Sequence, residues 1–169
     1  MRAKLIVEGK EFDIDIFDPE LQKLVAPKKK TGYERVDDGE IYYYSCVNGN
    51  AVNSDEEVNC FLNDAVYNGA NYYSSKVVAE NNTRADKLMR QLRRFAVEHR
   101  EHELRWKIQG QKKYRIYYNY TIDELDIDYD IWCRDISSTY FDTEETANLA
   151  IETFHDELIW YFTEYKDSV

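Results

Sequence analysis

The chain has 169 residues, 33 acidic against 22 basic side chains, a formal net charge of −11 and 43% hydrophobic residues. That hydrophobic content is near the globular average and argues against a disordered chain, and the length suits one ordinary domain or two small units sharing a core. Leu5-Ile6-Val7 is too short for a secretory leader, no apolar run is long enough to span a bilayer, and Cys46, Cys60 and Cys133 are too widely spaced for a zinc motif or a disulfide frame, so the expectation is a soluble cytoplasmic protein.

Lys4 to Ile16 alternates with the period of a strand and is expected to form a hairpin turning near Gly9-Lys10, with Phe12, Ile14 and Ile16 inward and Asp13 and Asp15 outward. Asp18-Pro19 ends it. Glu20 to Ala26 suits one short helical turn, and Pro27-Lys28-Lys29-Lys30-Thr31-Gly32 reads as a solvated linker, which bounds an N-terminal unit of residues 1–31.

Gly39 to Val47 is aromatic and β-rich, Asn48-Gly49-Asn50 supplies a turn, and Ala51-Val52 begins the return. Residues 53–70 are polar and show no clear period. Ser74 or Ser75 then caps a helix expected over Lys76 to Arg100. Its apolar stripe is Val78, Ala85, Leu88, Met89, Leu92, Phe95 and Ala96, and Arg84, Lys87, Arg90, Arg93 and Arg94 occupy the rest. Residues 32–112 thus read as a first β/α unit with a basic helix.

The second unit, residues 113–169, repeats the plan. Lys113 to Ile131 is expected to be a hairpin around Asp123-Glu124, followed by Tyr140-Phe141, an N-cap at Asp142 with Glu145 completing a capping box, and a helix to about Tyr165. Asn71-Tyr72-Tyr73-Ser74-Ser75 falls on Thr139-Tyr140-Phe141-Asp142-Thr143, and Ala79 falls on Ala147. The fold class that follows is α+β: two degenerate β-hairpin-plus-helix units, with antiparallel sheets packed by long amphipathic helices, plus the N-terminal hairpin.

Charge separates the units. Residues 117–169 hold 14 acidic side chains against Arg134 and Lys166, whereas residues 84–115 hold 11 basic against four acidic. In the strand Glu124 to Ile131, the side chains of Leu125, Ile127, Tyr129 and Ile131 fall on one face, and Glu124, Asp126, Asp128 and Asp130 fall on the other. Alternate strand residues lie roughly 6.6 Å apart, so the row resembles the charge pattern of a nucleic-acid backbone, with a phosphate about every 3.4 Å along each strand. Asp142, Glu144, Glu145 and Glu152 widen the expected patch. Acidic residues at a helix start also suit the helix dipole, and charges on a strand also protect an edge from aggregation.

No motif for catalysis accompanies the row. Its carboxylates face solvent and lack the dry pocket that splits the pKa values of an acid and a base. His99 and His102 have no ligands at metal spacing, His155 has no nucleophile signature, and the six glycines form no phosphate loop. The expectation is a protein without enzymatic activity, cofactor or metal. The basic surface Arg84, Lys87, Arg90, Arg93 and Arg94 suits nucleic acid in itself, or is a solvated face, or a contact with the acidic unit within the chain or in a homodimer.

Gly32-Tyr33-Glu34-Arg35-Val36, Gly39-Glu40-Ile41-Tyr42-Tyr43-Tyr44, Asn71-Tyr72-Tyr73-Ser74-Ser75-Lys76 and the tail Asp156-Glu157-Leu158-Ile159-Trp160-Tyr161-Phe162 resemble the modules of small acidic proteins encoded by phages and prophages of Firmicutes. Proteins of that kind include anti-CRISPR and anti-restriction proteins that block nucleases by occupying DNA-binding grooves. The resemblance implies a viral protein acting as a DNA mimic in the bacterial host cytoplasm. Its partner would be a host nucleic-acid-binding defence protein, a Cas9-type nuclease above all, with no membrane and no direct nucleic-acid binding. The alternative is a phage assembly or regulatory module that uses the basic 84–94 helix.

Overall fold

The computed structural model describes residues 2–7, 10–15, 30–46, 49 and 51–169. The chain divides into two compact units, residues 1–31 and 32–169. In the first, β1 (Arg2–Val7) and β2 (Lys10–Asp15) pair antiparallel with Val7 opposite Lys10. Lys4 reaches diagonally across the pair to Glu11 at 2.6 Å. Asp13 is exposed and Ile14 half-buried, in keeping with the alternation. The side chains of Phe12 and Asp15, Ile16, the helical turn over residues 20–26 and residues 27–29 of the linker lie outside the described residues.

Residues 32–169 are built twice from the same parts. β3 (Ile41–Ser45) with β4 (Val52–Glu56), and β5 (Lys113–Asn119) with β6 (Glu124–Asp130), are two-stranded antiparallel sheets. After each hairpin an aromatic residue returns to the first strand. Tyr73 exchanges main-chain hydrogen bonds of 2.8 and 2.9 Å with Tyr43, and Phe141 exchanges bonds of 2.9 and 2.8 Å with Tyr114. Two residues later a hydroxyl caps a helix. Ser75 accepts the Val78 N–H at the start of α2 (Lys76–Glu98), and Thr143 accepts the Thr146 N–H at the start of α3 (Glu144–Thr163). Ala79 and Ala147, equivalent in the repeat, are both fully buried where each helix crosses its own hairpin. The α+β fold with a degenerate repeat is the one the pattern of the sequence implies.

The two halves share one core. Leu88, Leu92, Phe95 and Ala96 of α2 pack with Ala147, Ala150 and Leu158 of α3, and Phe141 closes the cluster from the side of the second sheet. α3 kinks at Phe154 (φ −117°, ψ 20°), whose ring meets Phe95 edge-on at 5.5 Å. A smaller cluster of Tyr73, Val78 and Ala79 packs against Tyr43 and Val52 of the first hairpin, and on the other face of β3 Tyr42 stacks on Tyr72 at 4.2 Å. Much of the tyrosine content is sheet packing of this kind.

Local details differ from the expectations. The featureless stretch 53–70 holds β4, which runs to Glu56, and α1 (Phe61–Asn68). β4 is polar because almost all of it faces solvent, and its extended form is imposed by pairing with Ile41–Ser45. α2 stops at Glu98, where His99 stacks on Phe95 at 3.9 Å. The second hairpin turns through residues 120–123, with Asp123 left-handed at φ 56°, so Glu124 is already part of the ladder opposite Asn119.

The N-cap of α3 is Thr143 and not Asp142. Asp142 is only 9% exposed and accepts the main-chain N–H groups of Glu101 and His102 at 2.8 and 2.7 Å, tying the α2–β5 connection to the start of α3. Thr143→Ala costs about 1 kcal/mol in urea unfolding; an unchanged midpoint contradicts the assignment.

Candidate functional site

The register of the second hairpin gives each carboxylate of β6 a partner on β5. Glu124 lies opposite Asn119, Asp126 opposite Tyr117, Asp128 opposite Arg115 and Asp130 opposite Lys113. The other face of the same hairpin carries Ile116, Leu125 and Ile127 into the core against α3. The acidic row therefore points away from the helix layer, as alternation demands.

Partners hold the row in place. The Tyr117 hydroxyl donates to Asp126 at 2.8 Å, and this bond, with the Ile127 N–H, keeps the Asp126 carboxyl below its ordinary range. Arg115 reaches Asp128 at 3.2 Å, Asp130 at 3.4 Å and Asp135 at 3.8 Å. Asp135 is organised by the Ser137 N–H and by the hydroxyls of Ser137 and Ser138, which also keep it below the usual carboxylate range. At the far end the Tyr140 hydroxyl donates to Asp130 at 2.9 Å, the Trp106 ring meets Tyr140 edge-on, and Lys113 is fully buried, donating to the carbonyls of Gln111 and Ile131. The face is thus closed at the Lys113 end and open toward the turn, where Glu124, Asp126 and Asp128 are exposed.

The carboxylate row is neither bare nor neutralised. Asp128, Asp130 and Asp135 share one guanidinium, that of the hairpin's own Arg115 and not of an arginine of α2, while Asp126 is held by the Tyr117 hydroxyl. Mutual repulsion along the row is offset locally by Tyr117 and Arg115, while the surface stays strongly negative.

The other residues expected in this patch lie elsewhere. Asp142 is turned inward, as described above. Glu144 and Glu145 are exposed in the first turn of α3, where they suit the helix dipole. Glu152 lines the groove between α2 and α3 with Arg84 and Lys87. These three glutamates do not continue the row, because α3 covers the opposite face of the hairpin.

The basic helix is partly engaged. Arg84 makes bonds of 2.8 and 3.2 Å to Glu157 and lies 3.9 Å over the Trp160 ring. Arg94 pairs with Glu98, and Arg93 donates to the Met89 carbonyl. The Arg90 guanidinium packs against Gly49, whose φ of 63° favours glycine. Lys87 faces the acidic residues of α3 across the groove.

A trio of tyrosine, carboxylate and arginine recurs in the repeat. In the first unit the Tyr72 hydroxyl donates to Glu57 at 2.8 Å, and Arg35 grips both oxygens of Glu57 at 2.9 Å while also reaching Asp64 at 2.7 Å. Glu57 is fully buried, and Arg35 holds its carboxyl down at about 2; burial pushes the Tyr72 hydroxyl up to about 12. In the second unit Tyr140, Asp130 and Arg115 take these roles at the inner end of the exposed row. The first trio is a lock inside the fold, and the second anchors a surface. Arg35, Glu57, Arg115 and Tyr117 were not singled out from the sequence. The signal for the last two was the alternation of β5 once it is set in register with β6.

Among the described residues no three His, Cys, Asp or Glu side chains gather as metal ligands, and no helix is long and apolar enough to cross a membrane. Comparison of the chain with family models, with curated proteins and with solved structures finds no match.

Proposed function

We propose that the chain is a non-enzymatic binding protein whose acidic hairpin face occupies a cationic, nucleic-acid-binding groove, as phage-encoded inhibitors of host defence nucleases do, with a Cas9-type effector as the target. The observation that carries this reading is the open run of Glu124, Asp126 and Asp128 at alternate strand positions, held by Tyr117 and Arg115 across the ladder. A strand fixes the spacing of the charges before binding, so little ordering remains to be done when lysines and arginines of the groove meet them. Nuclease channels that hold a guide–target duplex, and the arginines that read the PAM, present that kind of cationic surface.

Binding of this type releases ions and weakens with salt. Incubated with a guide-loaded Cas9-type nuclease before DNA is added, the protein suppresses cleavage at low salt, and suppression fades as salt rises. It does not shift plain duplex DNA in a gel. A gel shift without inhibition supports instead the second reading, a phage assembly or regulatory module that binds nucleic acid or protein through α2. Arg84 is already held by Glu157 and Trp160, which leaves Lys87, Arg90 and Arg93 to carry it.

A further inference from the structure

The repeat supplies an internal comparison along the outer edge of each hairpin. Because Tyr43 and Tyr114 bond Tyr73 and Phe141, the main-chain groups of every second residue of β3 and β5 point to that same edge. In the first unit the next such residue, Ser45, is closed off: its N–H donates to the Asn71 side chain at 2.8 Å and its carbonyl accepts from Asn71 at 3.1 Å. Asn71 stands two residues before Tyr73. In the second unit the position two before Phe141 is Thr139, which lacks a carboxamide and makes no such bonds. Ile116 is equivalent to Ser45, and its main-chain N–H and carbonyl have no partner among the described residues; neither have those of Tyr118, two residues on.

Beside this open edge lies a cavity of about 270 Å³ between β5, α2 and α3, walled by Met89, Leu92, Ile116, Leu158 and Phe162. Asp135 and Arg115 stand at its rim. An exposed strand edge is ordinarily blunted, and the first unit does so with one side chain.

We infer that the β5 edge at Ile116 and Tyr118 is a docking site for an extended, basic segment of a partner protein, which adds as a further strand and lays one apolar side chain in the cavity. Unpaired donors and acceptors two residues apart match a polypeptide main chain. The period of a strand then sends one side chain into the apolar cavity and its neighbours to the outer face. There Asp135, which lines the cavity, favours lysine or arginine on the incoming strand, and the charge of Arg115 is already offset by Asp128 and Asp130 from the β6 side. This site lies on the edge of the sheet and not on the acidic face, and it stands or falls separately from the reading above.

The test uses a fluorescent heptapeptide of alternating lysine and valine, together with the same peptide N-methylated at alternate main-chain nitrogens. The intact protein binds the first peptide at least tenfold more tightly than the second, and the Ile116 and Tyr118 amide resonances shift and gain protection from exchange. Thr139→Asn, which rebuilds the Asn71 closure, weakens binding about tenfold at an unchanged melting temperature. Should that variant fold poorly, the amide signals of the unaltered chain decide. Equal binding of the two peptides, which would mark attraction by charge alone, overturns the inference. So does an absence of binding, unmoved amides at Ile116 and Tyr118, or a concentration-dependent self-association that Thr139→Asn abolishes, which would make a second copy of the chain the occupant.

Discussion

Glu57→Gln lowers the midpoint of thermal unfolding by roughly 10 °C, with the acidic face unaffected. Glu57 is fully buried and is gripped by Arg35 through two bonds of 2.9 Å while accepting the Tyr72 hydroxyl. The amide keeps the shape and removes the charge, so Arg35 retains only the half-exposed Asp64 as an ionic partner. Breaking a buried pair by neutralising one member is among the most damaging single changes available to a domain of this size.

The same group sets an acid limit. Its carboxyl is depressed from 4.5 to about 2 in the folded chain, so its contribution to stability is complete above pH 4.5 and is lost progressively as pH falls toward 2. Tyr72 acts at the other extreme. Its hydroxyl is raised from 10.0 to about 12, so its contribution is complete below pH 10 and disappears as pH climbs toward 12. Urea midpoints of the natural chain fall as pH is lowered from 6 to 2, and the fall is shallower for Glu57→Gln. Parallel curves for the two proteins would show that Glu57 is not the group responsible.

On the proposed function, neutralising the exposed row as Glu124→Gln, Asp126→Asn and Asp128→Asn together weakens binding to a Cas9-type nuclease at least about 100-fold, while the melting temperature changes little. Asp130 is left intact in this variant because Tyr140 donates to it at the closed end of the face, where a substitution would disturb the packing of Trp106 and Tyr140. A small stability change is expected because the three removed charges are exposed, and relief of repulsion between them offsets the loss of the bonds to Tyr117 and Arg115. Unchanged affinity for the folded triple variant would exclude this surface.

The repeated architecture was legible because its signals are local: aromatic pairs, hydroxyls that cap helices, and apolar stripes at helical spacing. Ser75 and Thr143 occupy equivalent caps for that reason. Asp142 misled because aspartate and threonine are both good N-caps and stand side by side; only the folded connection at Glu101 and His102, 40 residues away, draws Asp142 inward. α1 is eight residues long and too short to establish a period. The carboxylate row could be read from the alternation of β6 alone, but its counter-row could not, since Arg115 and Tyr117 meet Asp128 and Asp126 only when the register is fixed. Arg35 and Glu57, 22 residues apart, carry no local signal at all.

The most direct measurement is a competition in which a labelled target duplex, bound to a guide-loaded Cas9-type nuclease, is challenged with the protein across a range of salt concentrations. The account predicts that the protein displaces the duplex, that displacement weakens steeply with salt, and that the triple variant is inert. Binding to the nuclease with the duplex still in place, or displacement by the triple variant as strong as by the natural chain, would contradict it.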